Sequence, residues 1–117
     1  MTNEEWESYS TKKPLWTIGA GLRVIRAMQA SLKPLGFHVA LAGGVLNTDR
    51  SFKDLDLVFL PLTNNFAPPT EPLMGYLCGV FGYPNTEEGS HSPNPYTPYR
   101  QQWVFPNGGK RIDVFIV

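Results

Sequence analysis

The run Asp54-Leu55-Asp56-Leu57-Val58-Phe59-Leu60, closed by Pro61, constrains this chain more than any other segment. Its polar and apolar residues alternate at the start, which is the period of a β-strand and not of a helix. Leu55, Leu57 and Phe59 then share a face and belong to a core, while Asp54 and Asp56 project together from the opposite face. Such a strand needs partner strands and a layer to cover its apolar side.

The rest of the chain supplies both. From Ile18 to Leu35 the positions Ile18, Leu22, Ile25, Met28 or Gln29, Leu32 and Leu35 step by three or four, with Arg23, Arg26, Ala30 and Lys33 between them. This predicts an amphipathic helix, stopped by Pro34 and Gly36. Phe37 to Ala42 reads as a short apolar strand ended by Gly43-Gly44, and Val45 to Lys53 as a loop or one helical turn. Leu73, Leu77 and Phe81 predict a second helix, weakened by Gly75 and Gly79. Gln101–Phe105 and Arg111–Val117 flank Asn107-Gly108-Gly109-Lys110, a strong hairpin signal. Tyr83 to Pro98, with four prolines, is an irregular loop of unusual length. The order helix, strand, strand, helix, strand, strand predicts an α+β, two-layer fold: a small mixed β-sheet with helices on one face. Residues 1–16 read as a polar lead-in and 17–117 as a single domain.

Composition narrows the function. At 117 residues there is room for one domain. Ten basic residues against ten acidic ones leave no net charge, which argues against a protein that coats nucleic acid. Cys78 is the single cysteine, so an intrachain disulfide or a cysteine-based zinc site is excluded, and a small core residue is the expectation. No apolar run approaches the roughly 20 residues of a membrane helix. Met1 to Lys13 has no apolar stretch of the signal-peptide kind, so the expected location is cytoplasmic, with no membrane contact.

Three features can carry chemistry. Gly43-Gly44 lets the backbone turn sharply and bring its N–H groups to a phosphate chain, although a strand-ending turn uses the same residues. Asp54 and Asp56 set two carboxylates about 7 Å apart along one strand face, a repulsion that Mg²⁺ or Mn²⁺ would relieve. Taken alone, that pattern also fits a solvated strand face. Asp113 stands with Arg111 on the face opposite Ile112, Val114 and Ile116, either as a third ligand beside Asp54 and Asp56 or as an edge-strand charge. Three converging carboxylates can hold two divalent ions.

Together these residues resemble the nucleotidyltransferase superfamily typified by DNA polymerase β. The pattern runs Ala42-Gly43-Gly44, the spacer Val45–Lys53, Asp54-Leu55-Asp56-Leu57, then Ile112-Asp113-Val114, and is most similar to the poly(A)- and CCA-adding head-domain branch. The Arg-Asp pair usual after the glycines in that branch is displaced here, as Asp49-Arg50, and no helical base-gripping domain follows. The resemblance implies transfer of an NMP from an NTP, ATP foremost, to an acceptor hydroxyl with release of pyrophosphate. It further implies that Asp54, Asp56 and Asp113 are catalytic and bind Mg²⁺ or Mn²⁺, with Gly43, Gly44, Arg50 and Lys53 on the nucleotide. The acceptor stays open among RNA, a protein and a small molecule, and a second copy or a larger protein is a possible partner. A catalytically inactive member of the fold, binding or inhibiting such a protein, is the rival reading.

Other motifs carry less. His38 and His91 lack companions at metal spacing, and neither a Gly-x-Ser-x-Gly elbow nor a Walker-type loop is present. Arg50, Lys53, Arg100, Lys110 and Arg111 either line a phosphate site or are solvated. Trp103 fits a core, and Tyr96 and Tyr99 are free to stack on a base.

Overall fold

Thr17 starts the first helix. Its Oγ1 accepts a hydrogen bond from the Ala20 amide at 3.2 Å, satisfying one of the donors that a helix amino terminus leaves unpaired. In the computed structural model, which describes residue 2 and residues 16–42, 54–63, 66–85, 99–106 and 111–117, helix α1 spans Ile18–Leu32. A 3-10 turn, Lys33–Leu35, follows with Pro34 in its first turn, where the missing amide is not needed. Gly36 then reverses the chain at φ 86° and donates its N–H to the Lys33 carbonyl at 3.0 Å. A Cβ there would be strained by that φ and pressed to 3.0 Å from Pro68 Cγ, so glycine is required twice over.

The inner face of α1 differs in one respect from the periodicity. Val24, Met28 and Leu32 are fully buried, but Leu22 is 44% exposed. The cause is Gly21, which is buried and touches the sheet; a Cβ on it would lie 2.9 Å from Leu41 Cδ2 and 3.2 Å from Leu55 Cδ1. The helix approaches along Gly21, and the turn of about 100° per residue carries Leu22 outward. Trp16, which the sequence puts in the polar lead-in, is also fully buried in the core.

Strands β1 (Phe37–Ala42), β2 (Asp54–Pro61), β3 (Gln101–Phe105) and β4 (Arg111–Ile116) form one mixed sheet in the order β1-β2-β4-β3. β1 pairs antiparallel with β2, β4 parallel with β2, and β3 antiparallel with β4. The predicted hairpin strands are thus neighbours, while their turn at 107–110 lies outside the described residues. Helix α2 spans Thr70–Phe81, starting three residues before Leu73 because Pro72 falls in the first turn, where no intrahelical amide bond is lost.

Both helices cover the same sheet face. Val24, Met28 and Leu32 of α1 and Leu73, Leu77, Val80 and Phe81 of α2 join Phe37, Leu55, Leu57, Phe59, Phe105, Ile112, Val114 and Ile116 in one core. Phe81 and Phe105 meet with ring centroids 5.5 Å apart. Cys78 is half-buried against this core, and burial pushes its thiol up from the ordinary value. Among the described residues no helix is long and apolar enough to cross a membrane.

On the outer side of α2, Gly75 and Gly79 have open space where a Cβ would stand and no left-handed φ. Gly75→Ala and Gly79→Ala should therefore each stabilise the fold by about 0.5–1 kcal/mol, because alanine loses less backbone freedom in a helix. Urea denaturation of the two single variants checks this; an unchanged or lower midpoint refutes it.

Candidate functional site

Alternation along β2 fixes which face its acids occupy. Leu55, Leu57 and Phe59 are fully buried beneath the helices, so Asp54 and Asp56 must lie on the uncovered face. The same holds for β4, where Ile112, Val114 and Ile116 are fully buried and Arg111, Asp113 and Phe115 stand opposite. Parallel pairing then sets the cross-strand neighbours: Asp56 beside Asp113, and Asp54 beside Arg111. Adjacent strands are about 4.8 Å apart, so Asp56 and Asp113 are within reach of each other's side chains.

The two carboxylates do meet. Asp56 is half-buried and its pKa is raised from 3.8 to about 6. Burial is the largest cause, followed by the charge of Asp113, a hydrogen bond to Asp113, and the charge of Asp54; the nearby Arg111 acts in the opposite direction. A hydrogen bond between two carboxyl groups needs a proton between them, so the contact favours the protonated form of Asp56, which is populated below about pH 6. Arg111 closes the cluster: its Nε donates to Asp113 Oδ1 at 2.8 Å, with the Asp113 side chain 14% exposed. Asp54 is exposed at the edge of this group.

The apolar sides of the same strands hold the acids together. Leu55 pairs with Ile112, Leu57 with Val114 and Phe59 with Ile116, all fully buried. Each such side chain contributes roughly 1.5–3 kcal/mol by leaving water, which together exceeds the repulsion between two partly screened carboxylates. The core thus enforces an electrostatically unfavourable surface.

The acids are therefore gathered as a pair plus one. Among the described residues, no three His, Cys, Asp or Glu side chains form a ready metal-holding group. Gly43, Gly44, Arg50 and Lys53 lie outside the described residues, as do His91, Tyr96, Lys110 and most of the 83–98 loop. Arg100 stands at the far end of the sheet, where it donates to the carbonyls of Val117 and Pro68. It takes no part in a phosphate site beside the acids. Tyr99 is stacked on Phe115, with centroids 4.9 Å apart, and Trp103 is 9% exposed within the core.

Sequence pattern alone missed the coupling of Asp56 to Asp113, which raises the Asp56 pKa. Its signal is the match of Leu55-Asp56-Leu57 with Ile112-Asp113-Val114, two strands each carrying an acid between apolar residues. No protein family model, curated protein or solved structure matches this chain.

Proposed function

We propose that this domain is a metal-dependent nucleotidyltransferase, moving an NMP from an NTP, ATP foremost, to an acceptor hydroxyl. The observation that carries this reading is the parallel β2–β4 register, which pairs Asp56 with Asp113 and leaves Asp54 on the same face. In this reading Asp54, Asp56 and Asp113 hold Mg²⁺ or Mn²⁺. The donor set suits such an ion in kind, because all three are hard carboxylate oxygens on one face and a cation would relieve the repulsion that raises the Asp56 pKa; as placed they form a pair with Asp54 at its edge and not a ready three-ligand group. When bound, the ion neutralises triphosphate charge and acidifies the acceptor hydroxyl.

The chain's own part is to hold and to receive. The buried strands fix the carboxylates before substrate arrives, so little ordering remains at the moment of reaction. The acceptor oxygen forms a bond to the α-phosphorus, the bond to the β-phosphate oxygen breaks, and pyrophosphate leaves. Asp113 receives the hydroxyl proton. The Arg111 side chain, 42% exposed, turns from Asp113 towards the departing pyrophosphate. Gly43, Gly44, Arg50 and Lys53 are assigned to the triphosphate by their place in the sequence pattern.

A second reading has one observation in its favour. The Arg111 guanidinium already neutralises Asp113, as a substitute cation would in a non-catalytic member of the fold that binds or inhibits a larger protein. Calorimetry with ATP separates the two. Binding that requires Mn²⁺ or Mg²⁺ and is lost in Asp54→Ala supports the transferase, whereas no metal-dependent binding near neutral pH supports the second reading.

A further inference from the structure

The acids occupy only part of the uncovered sheet face, and the rest of that face changes character step by step. Strand register divides it into rows of side-by-side residues. The row nearest the start of β2 is charged, with Asp54 beside Arg111. The next holds Asp56 beside Asp113. The third turns apolar: Ala40, Val58 and Phe115 stand in line, and Gln102 on β3 ends it. Phe115 and Gln102 belong to this side because their strand neighbours Val114, Ile116 and Trp103 are in the core beneath the helices. Phe115 is two residues beyond Asp113 on β4, roughly 7 Å at strand spacing.

The third row also carries an aromatic pair. Tyr99, just ahead of β3, meets Phe115 with ring centroids 4.9 Å apart and planes at 43°. Both rings are half-buried, and Gln102 beside them is exposed. The core does not account for these side chains, since neither ring belongs to the apolar cluster under the helices. Gln102 also differs in use from its neighbour. Gln101 faces α2, where its amide donates to Thr70 Oγ1 at 2.9 Å and accepts from Trp103 Nε1 at 3.0 Å. Gln102, one residue on, is turned to the acid-bearing face.

We infer that this third row is the base-binding half of the nucleotide site and that it selects adenine, an inference that rests on the transferase reading above. A nucleoside triphosphate presents the same succession of chemistries as the rows: charged β- and γ-phosphates, the reacting α-phosphate and, one sugar further on, a flat base. With the α-phosphorus at Asp56 and Asp113 and the pyrophosphate towards Arg111, the base is carried the other way, onto Phe115 and Tyr99. The reverse orientation would lay polyphosphate over Ala40, Val58 and Phe115, where it would lose water and gain no counter-charge. Stacking on the rings accepts any base. Gln102 supplies the discrimination: its amide N–H donates to adenine N7 while its oxygen accepts from the adenine N6–H, two bonds at once. Guanine offers acceptors at both positions, so one of its two bonds to the amide is lost.

The test is calorimetry on the full chain with Mg²⁺, comparing ATP, GTP and ribose 5-triphosphate, which keeps the charges and lacks a base. ATP should bind about tenfold more tightly than either of the others. Phe115→Leu, which keeps an apolar side chain and removes the ring, should weaken ATP about tenfold and leave ribose 5-triphosphate unchanged. Gln102→Ala, at an exposed position, should abolish the preference for ATP over GTP and again leave ribose 5-triphosphate unchanged. Equal binding of ATP and ribose 5-triphosphate, equal binding of ATP and GTP by the parent, or an undiminished preference in Gln102→Ala overturns the base site. In those cases Mg²⁺-dependent binding of ribose 5-triphosphate still supports the transferase reading. No Mg²⁺-dependent binding of any of the three overturns both.

Discussion

Asp54→Ala and Asp56→Ala are each expected to lower the proposed nucleotidyl transfer by about 10²–10³-fold or more, the scale on which loss of one preorganised electrostatic group acts. Both side chains lie on the uncovered face of β2, outside the apolar core, so neither change removes packing. Asp56→Asn sharpens the experiment. It keeps the shape and the donor towards Asp113 but removes the buried charge. Transfer should collapse while the fold becomes more stable, a combination that misfolding cannot produce. Labelled ATP incorporated in single-turnover reactions, beside urea denaturation of the same samples, measures both. Full activity in any of these variants removes the carboxylates from the mechanism.

The second large effect concerns pH. The folded-state pKa of Asp56, about 6, lies above its ordinary 3.8. Between those values the folded chain therefore binds more protons than the unfolded one. By linkage, the contribution of this group to stability is fully present below about pH 4, falls as pH rises towards 6, and is level above that. A shift of this size would amount to about 3 kcal/mol if unscreened; the half-exposed setting reduces it to about 1–2 kcal/mol. The stability gained by Asp56→Asn over the parent should hence be near zero at pH 4 and reach that plateau by pH 7. Denaturation midpoints across this range check the curve, and a pH-independent difference refutes it. Added Mn²⁺ should shrink the plateau if the cation takes the proton's place.

Much of the fold is legible in alternation and spacing because those reflect local geometry. Leu55, Leu57 and Phe59 name the core face of β2 without knowledge of any neighbour, and so do Ile112, Val114 and Ile116 for β4. The small mixed sheet with helices on one face follows from them. What the pattern leaves open is decided by contacts distant in the chain. Gly21 rotates α1 by touching Leu41 and Leu55, and nothing near Leu22 signals that it will be turned out. Asp54 and Asp56 look equivalent in the sequence, yet one has Arg111 across the strand boundary and the other has Asp113. The second has its pKa raised to about 6, in part by that neighbour. From its charge Arg100 reads either as a phosphate ligand or as a solvated cation, and only the position of Pro68 and Val117 shows it to be a clamp.

β4 is the last strand in sequence among the described residues, yet it lies inside the sheet, between β2 and β3. A chain emerging from the ribosome can close the β1–β2 pair early, but β3 has no partner until β4 arrives. Until then the inner edge of β2 is open to pairing with any stray strand, and its aspartates serve as charged guards against that. When β4 inserts, roughly half the chain must be looped out to bring Asp113 to Asp56, a slow, non-local closure. The acid pair is therefore assembled by the same event that completes the sheet. A chain without β4 has no such pair, so the acid face exists only in the completed sheet.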